Sequence, residues 1–282
     1  MAEIHPTAVI DPQAKVASDV WIGPFCVVEA DAEIASGCRL ENRAVVKKGT
    51  ILGANNVLSE GAVLGGRPQH LAAGEEVGRL HVGDGNQFRE NVTVHCGLKP
   101  DDVTTLGDGN LLMINAHIGH DCHLHNNIIM ANNSMLGGHV TVYDRAYISA
   151  AVGVHQFCRV GKMAMVGGQA HVNRDIPPFV TLDGHASEVV GVNQIGLRRN
   201  GFSNAEIRQI KEAYRAIYRE ELTWVEVLAA MQERFSEGPA AEFYQFLKGA
   251  KRGIMQERRG SRRATIRIFD GEERKTRMRD VG

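Results

Sequence analysis

The stretch LMINAHIGHDCHLHNNIIMANNSMLGGHV, residues 112–140, repeats every six residues. Within it and on either side, an aliphatic residue or Met occupies Leu106, Leu112, Ile118, Leu124, Met130, Leu136, Val142, Ile148, Val154, Val160, Val166 and Val172 without a slip. Four positions after most of these stands a small or β-branched residue, at Ala116, Cys122, Ser134, Val140, Ala146, Val152, Cys158, Ala164 and Ala170. Neither the period of a strand nor that of a helix gives a strict six over so many cycles, whereas a solenoid coil with three short flat faces does. Each hexad is then one strand and one corner. Its first residue points inward, and its fifth must be small because the corner leaves no room.

Three hexads per coil place residues eighteen apart above one another, about 4.8 Å away, the usual spacing of hydrogen-bonded strands. His120, Gly138 and Gln156 then share one column, and Asp121, His139 and Phe157 the next. Toward the N-terminus the same register runs from Ile4 through Ile10, Val16 and Ile22 to Leu64, and breaks after Gly66. It resumes at Val82, Phe88 and Val94, and breaks again before Leu106. Loops that interrupt a solenoid project from one face and often carry binding groups. Both breaks, near 67–81 and 98–105, precede the histidine cluster, which places them around one cleft.

The repeats are expected to end at RDIPPF, residues 174–179, since two prolines cannot continue a ladder. Three helices are expected after a short crossing segment. Ser203 with Glu206 and Thr223 with Glu226 form capping boxes for the first two, the second running to about Phe235, while Phe243, Phe246 and Leu247 turn the third inward. The expected division is a β-helix over 1–193, a helical domain over 194–255 and a charged, disordered tail over 256–282.

With 43% apolar and 23% charged residues, 282 residues suffice for one solenoid and a small appendage. The net charge of −1 divides unevenly: from Gln194 onward 19 Lys and Arg face 13 Asp and Glu, a net +6. Such a basic region suits an acidic partner. MAEIHPTAVI has no basic segment leading into an apolar one, and no run of eighteen apolar residues occurs, so a cytoplasmic protein without stable membrane insertion is expected. Of the five cysteines, Cys26, Cys38, Cys122 and Cys158 fall on the small fifth position and no CxxC occurs, which favours buried thiols over a disulfide or zinc site.

His120 beside Asp121 suits general-base work, because an imidazole with a pKa of about 6.5 is partly neutral at physiological pH and a carboxylate can fix its tautomer. Neighbours on a strand point to opposite faces, so Asp121 can orient His120 only if the corner turns it back. Gly138, one coil on, offers a backbone N–H to an oxyanion with no side chain in the way, a contribution of about 3 kcal/mol in comparable sites. Together these describe acyl transfer to a hydroxyl without a covalent enzyme intermediate, and no nucleophile elbow competes. His117, His120, His123 and His125 suggest zinc by their density, but in the solenoid frame they do not converge within one chain, so no metal is expected. His155, beside Gln156, is either an interface group or a substrate contact. Gly167 and Gly168 serve a flat turn and leave a slot open should an acyl chain run outside the coils.

HPTAVI, IGPFCVV, NLLMINAHIGHDC, GGHV, VGVHQFCRVG, DIPPF, GVN and GFS, between His5 and about Gly253, resemble the UDP-N-acetylglucosamine 3-O-acyltransferases. Those enzymes start lipid A biosynthesis by moving a 3-hydroxyacyl chain from acyl carrier protein to the sugar. The resemblance implies a left-handed parallel β-helix, a homotrimer with sites between subunits, and no cofactor or nucleic-acid partner. It implies His120 as base, Asp121 as its support and Gly138 as oxyanion donor. His117, His139, His155 and Gln156 would hold sugar or acyl groups, and Asn193 and Arg199 the uridine nucleotide. Gln69 and His95 stand in further motif positions of the substrate site, and Gly168 matches the position limiting acyl length, where glycine implies a longer chain. The basic helices, with Arg198, Arg199, Arg208, Lys211, Arg215 and Arg219, would dock acyl carrier protein.

The sequence departs from the family where His70, Leu71 and Ala72 replace an acid and a lysine near Gln69, and at Cys96, Ile195 and Asn200, which stand in place of an arginine, an acid and a second arginine. N-acyl transfer to a 3-amino sugar, a trimeric metal-dependent hydratase and a silent scaffold are the rival readings.

Overall fold

The computed structural model describes residues 2–258. Strands of mostly two residues succeed one another from Glu3 to Val192, and helices follow. Every third strand returns to the same face, giving sheets of eleven, nine and eight strands that enclose a triangular prism. The first face includes Leu111–Leu112, Ile129–Met130 and Tyr147–Ile148; the second includes His117–Ile118, Met135–Leu136, Gly153–Val154 and His171–Val172; the third includes His123–Leu124, Thr141–Val142 and Arg159–Val160. The ladders are parallel with an eighteen-residue step: Ile118 lies opposite Leu136, Leu136 opposite Val154, and Val154 opposite Val172.

The hexad positions explain the burial. Ile118, Met130, Val142, Ile148, Val160 and Val166 are fully buried, as are the fifth-position residues Ala116, Cys122, Val140 and Cys158. Burying one such aliphatic side chain contributes roughly 1.5–3 kcal/mol, and each rung repeats that gain. All five cysteines are free thiols in the core. Asparagine replaces the aliphatic filler at three successive levels of one corner. Asn56 Oδ1 accepts from Asn86 N–H and Nδ2, Asn86 Oδ1 from Asn110 N–H, and Asn110 Oδ1 from Ile128 N–H, so a buried polar column is internally satisfied.

Corners turn through a residue with left-handed backbone. Between the second and third faces these residues are Asp121, His139 and Phe157, with φ of 58°, 60° and 65°. The conformation costs roughly 1–2 kcal/mol for a residue with a Cβ. Ladder hydrogen bonds offset it: His139 N–H donates to His120 O at 2.9 Å and Phe157 N–H to Gly138 O at 3.1 Å.

The two breaks in the repeat meet each other. Gly78 N–H donates to Gly97 O, and Arg79 N–H to Asp102 O. Across them the ladder step lengthens, so that Val94 lies opposite Ile118 and Leu58 opposite Phe88.

Three expectations need correction. The ladder does not stop at the prolines, because Val180–Leu182 adds one more parallel rung to the first face and then pairs antiparallel with Val189–Val192. Pro177 and Pro178 occupy the corner before that strand, where no ladder N–H is required. Among the described residues four helices rather than three follow: α1 Gln194–Arg199, α2 Asn204–Tyr218, α3 Trp224–Arg234 and α4 Ala241–Lys248. α1 has six residues and too little periodicity to be read as a helix; its cap is Asn193, whose side chain accepts from Gly196 N–H. Both expected capping boxes are present at α2 and α3. The helices share a second core in which Met163 and Phe179 meet Leu197, Ile210, Met231 and Phe243. Of the expected tail, Gln256 to Arg258 runs beside Val189, with Val189 N–H donating to Gln256 O, and is therefore ordered; the remainder lies outside the described residues.

Candidate active site

The His120 corner lies between the second and third faces. Left-handed backbone at Asp121 returns its side chain toward the preceding residue, and Asp121 Oδ2 lies 2.6 Å from His120 Nδ1. The pair is 7% and 6% exposed. Two groups from the second break hold the acid in place. Leu98 N–H donates to Asp121 Oδ1 at 3.1 Å, and the Asp121 N–H donates to Thr104 Oγ1 at 2.8 Å. With Nδ1 hydrogen-bonded to the carboxylate, the other ring nitrogen, Nε2, is the one available to take a proton.

Gly138 lies directly above the ring. A Cβ at this position would fall 2.6 Å from both Cε1 and Nε2 of His120, so only glycine allows the imidazole its place. At this corner the turn leaves the first residue's N–H outside the ladder, and the Gly138 N–H has no protein acceptor among the described residues. Base nitrogen and free donor are therefore adjacent, as the eighteen-residue step requires.

Around them lies an open cleft of about 460 Å³, lined in part by Gln69, His95, His117, His155 and Gln156. The first break supplies Gln69 and also His70, whose ring meets His120 edge to face at 5.3 Å. His117 accepts from or donates to Thr93 Oγ1 through Nδ1 at 2.8 Å, and His95 packs edge to face on His117 at 4.7 Å. Burial pushes His95 down to about 4, helped by its neighbours His117 and His120, and burial likewise lowers His117. Both are neutral at physiological pH, which suits hydrogen bonding to uncharged sugar hydroxyls or an amide. His139 stacks on Phe157 at 4.5 Å with Nε2 3.5 Å from Asp121 Oδ2, so it braces the acid rather than lining the cleft. Its pKa is lowered by burial, against the pull of Asp121.

Three residues read from the sequence stand elsewhere. Gly168 is at the corner between the first and second faces. Asn193 spends its side chain on Gly196 N–H and Met163 O at the corner between the third and first faces. Arg199 ends α1 beside that same corner, where Arg145 donates to Asn200 Oδ1. Of the departures, Cys96 is buried at 2% exposure and Ile195 is 65% exposed. His70, Thr104, Met135, Gly153 and His171 were not among the residues read as functional. Thr104 and His70 come from the breaks, where no period carries information, whereas Met135, Gly153 and His171 share the His117 column and were available from the eighteen-residue step.

His120, Asp121 and His139 place possible metal-ligand atoms within 4.8 Å of one another. Both Asp121 oxygens, however, already orient His120 and accept from Leu98. The zinc reading of the neighbouring histidines disperses: His123 Nδ1 is 2.9 Å from Thr105 Oγ1, and His125 stacks on Tyr143.

A triangular prism of hexads with a histidine–aspartate pair against a bare glycine corner is the architecture of a hexapeptide-repeat acyltransferase. A profile described as bacterial transferase hexapeptide (six repeats) matches residues 13–48, and one described as UDP N-acetylglucosamine O-acyltransferase, domain 2, matches residues 175–255. The acyl-[acyl-carrier-protein]–UDP-N-acetylglucosamine O-acyltransferase of Aliivibrio fischeri (strain MJ11) is 49% identical over 257 residues, 90% of this chain and 98% of its own. The protein of that name from Janthinobacterium sp. (strain Marseille) is 44% identical over 262 residues, covering 91% and 100%. The crystal structure of Francisella novicida UDP-N-acetylglucosamine acyltransferase superposes with a TM-score of 0.88 at 32% identity, covering 94% of this chain and all of that one. The chain belongs to the acyl-[acyl-carrier-protein]–UDP-N-acetylglucosamine O-acyltransferase family, and its fold is the left-handed parallel β-helix with a small helical C-terminal part. No helix among the described residues is long and apolar enough to cross a membrane.

Proposed function

We propose that the protein transfers a 3-hydroxyacyl group from acyl carrier protein to the 3-hydroxyl of UDP-N-acetylglucosamine, the entry reaction of lipid A biosynthesis. The observation that carries this reading is the placement of His120 against Gly138, with Asp121 2.6 Å behind the ring. His120 Nε2 takes the hydroxyl proton as the sugar oxygen bonds to the thioester carbon. The carbonyl oxygen gains charge facing the Gly138 N–H, the carbon–sulfur bond then breaks, and the imidazolium returns its proton to the leaving thiolate. Asp121 stabilises the imidazolium between those steps.

Gln69, His95, His117, His155 and Gln156 contact the sugar and the acyl group in this scheme, and His139 acts through Asp121. Asn193 and Arg199 bind the nucleotide. They stand at another corner, so the nucleotide site forms where that corner of one protomer meets the cleft of the next in a homotrimer. The acyl carrier protein docks on α2, where Arg208, Lys211, Arg215 and Arg219 line a depression of about 490 Å³ beside Gly191 and Gln194. A cluster of cations there favours an acidic partner by steering as well as by contact.

The test is incubation with 3-hydroxyacyl carrier proteins and, separately, UDP-N-acetylglucosamine or its 3-amino analogue, with products identified by mass spectrometry. An ester on the 3-hydroxyl is expected; product with the amino sugar alone would replace the reading with N-acyl transfer. His120→Ala is expected to lower turnover by roughly two to four decades, the usual contribution of a positioned base. Light scattering of the purified protein tests the trimer.

A further inference from the structure

The corner between the third and first faces, where Asn193 and Arg199 stand, holds a further cation. Arg145 follows the strand Thr141–Val142 and precedes Tyr147–Ile148, with left-handed backbone at φ of 56° and its N–H donating to Asn126 O at 2.9 Å. Eighteen residues on, Met163 occupies the same place in the next coil, about 4.8 Å along the axis, and its carbonyl accepts from Asn193 Nδ2. Arg145 therefore belongs to the coil and lies one rung from the residue that Asn193 grips. It is exposed and reaches across to the helical part, where Nη1 donates to Asn200 Oδ1 at 3.0 Å. That amide is itself held, since Asn200 Nδ2 donates to Gly196 O at 2.8 Å across the last turn of α1.

A cation near a helix C-terminus gains from the dipole, which accounts for the approach of Arg145 to Asn200. It does not account for the rest of the group. A guanidinium carries five N–H donors in a planar fork, and among the described residues only Nη1 of Arg145 has an acceptor. Asp144, the adjacent acid, turns Oδ1 to the N–H and Nδ2 of Asn126 instead. Arg145, Arg198 and Arg199 form no ion pair among the described residues. Three exposed cations thus gather around one corner with no anion to answer them. The Asn200 amide restricts one of them before any ligand arrives, so less freedom is lost when its fork closes on an anion.

We propose that Arg145 is a phosphate-binding residue of the sugar-nucleotide site: its fork, held by the Asn200 amide, takes the diphosphate next to Arg199. This rests on the nucleotide reading above. Two oxygens of a phosphate match a guanidinium bidentately, a geometry that an ammonium cannot offer. One cation then comes from the coil and another from α1, so the diphosphate bridges the two parts of the chain. Asn200 carries no charge and contributes by placing one. Uridine lacks the group that the fork recognises, which separates this role from a merely structural one.

The experiment measures the binding of UDP and, separately, of uridine to the full-length wild type, Arg145→Ala, Arg145→Lys and Asn200→Ala by ligand-observed NMR. UDP should bind Arg145→Ala about ten- to a hundredfold more weakly, the usual effect of losing a hydrogen-bonded charge, while uridine binds every variant within about threefold of wild type. Arg145→Lys should recover part of the loss, because it returns the charge without the fork. Asn200→Ala should lose less than Arg145→Ala, because the charge stays and only its anchor goes. Arg145→Ala that binds UDP as the wild type does overturns the inference and leaves the nucleotide reading standing. Equal losses for UDP and uridine also overturn it, since Arg145 would then only support α1. A wild type that binds neither compound overturns the nucleotide reading and the inference with it.

Discussion

Asp121→Asn isolates what the acid does for the base. The backbone there has φ of 58°, a conformation asparagine tolerates as well as aspartate, so the corner should keep its shape. The carboxylate accepts from two sides, His120 Nδ1 at 2.6 Å and Leu98 N–H at 3.1 Å. An amide has one oxygen and cannot accept from both. If its oxygen turns to Leu98, its NH2 faces Nδ1, the ring proton moves to Nε2, and the base is lost. If its oxygen turns to His120, the NH2 confronts the Leu98 N–H, at a cost of about 1–3 kcal/mol for an unsatisfied buried donor. In either orientation the charge-assisted bond to the imidazolium, worth about 1.5–3 kcal/mol, is also gone. Where both apply they come to roughly 2.5–6 kcal/mol, or about two to four decades in turnover. Steady-state kcat with saturating acyl carrier protein and sugar nucleotide, on a variant whose melting temperature is checked, measures it. A variant within threefold of wild type refutes the claim that Asp121 sets the tautomer and charge of His120.

Other outcomes follow from the same contacts. Because burial holds His95 at about 4, against an ordinary value near 6.5, the unfolded chain binds more protons between those pH values. Its contribution to stability, on the order of 3 kcal/mol, is therefore fully present above pH 6.5 and lost as pH falls toward 4, with about 2 kcal/mol gone by pH 5; urea unfolding at pH 5 and 7 should show a drop that His95→Gln reduces. Asn86→Ala opens the buried asparagine column, leaves the Asn110 N–H unpaired and removes one of the two donors to Asn56 Oδ1, the backbone N–H at that position remaining, which should destabilise by about 1–3 kcal/mol in chemical denaturation. Arg215→Glu should raise KM for acyl carrier protein about tenfold at low salt with little change in kcat, the difference shrinking as salt is added.

The prism was legible in the sequence because its core has one cross-section along its whole length. An inward residue every sixth position can then be read without knowing what it packs against. The same regularity made His120 and Gly138 neighbours before any coordinates, and it carried Met135, Gly153 and His171 into the column of His117. Where the period stops, that inference stops too. His70 reaches the His120 ring only because the first break folds back, and the breaks are fixed by hydrogen bonds to each other, such as Gly78 N–H to Gly97 O, which no local pattern encodes. α1 escaped notice for the complementary reason: its six residues are stabilised by the Asn193 cap and by burial of Leu197 in a core assembled from four helices and the last corners.

The His120–Asp121 pair combines both situations, and this explains its form. On a flat strand two adjacent side chains diverge, so a histidine and its acid need a separation in sequence or a bend between them. A hexad corner provides the bend through left-handed backbone at Asp121, whose strain of roughly 1–2 kcal/mol is offset by the hydrogen bond from the Asp121 N–H to Thr104 Oγ1. Thr104 belongs to the end of the second break, and Leu98, which holds the outer carboxylate oxygen, to its beginning. The break therefore supports Asp121 from both sides, while the repeat supplies His120 and the glycine above it. Substituting Thr104 by valine should separate these contributions, lowering turnover through a displaced Asp121 while leaving the register of His120 on Gly138 intact.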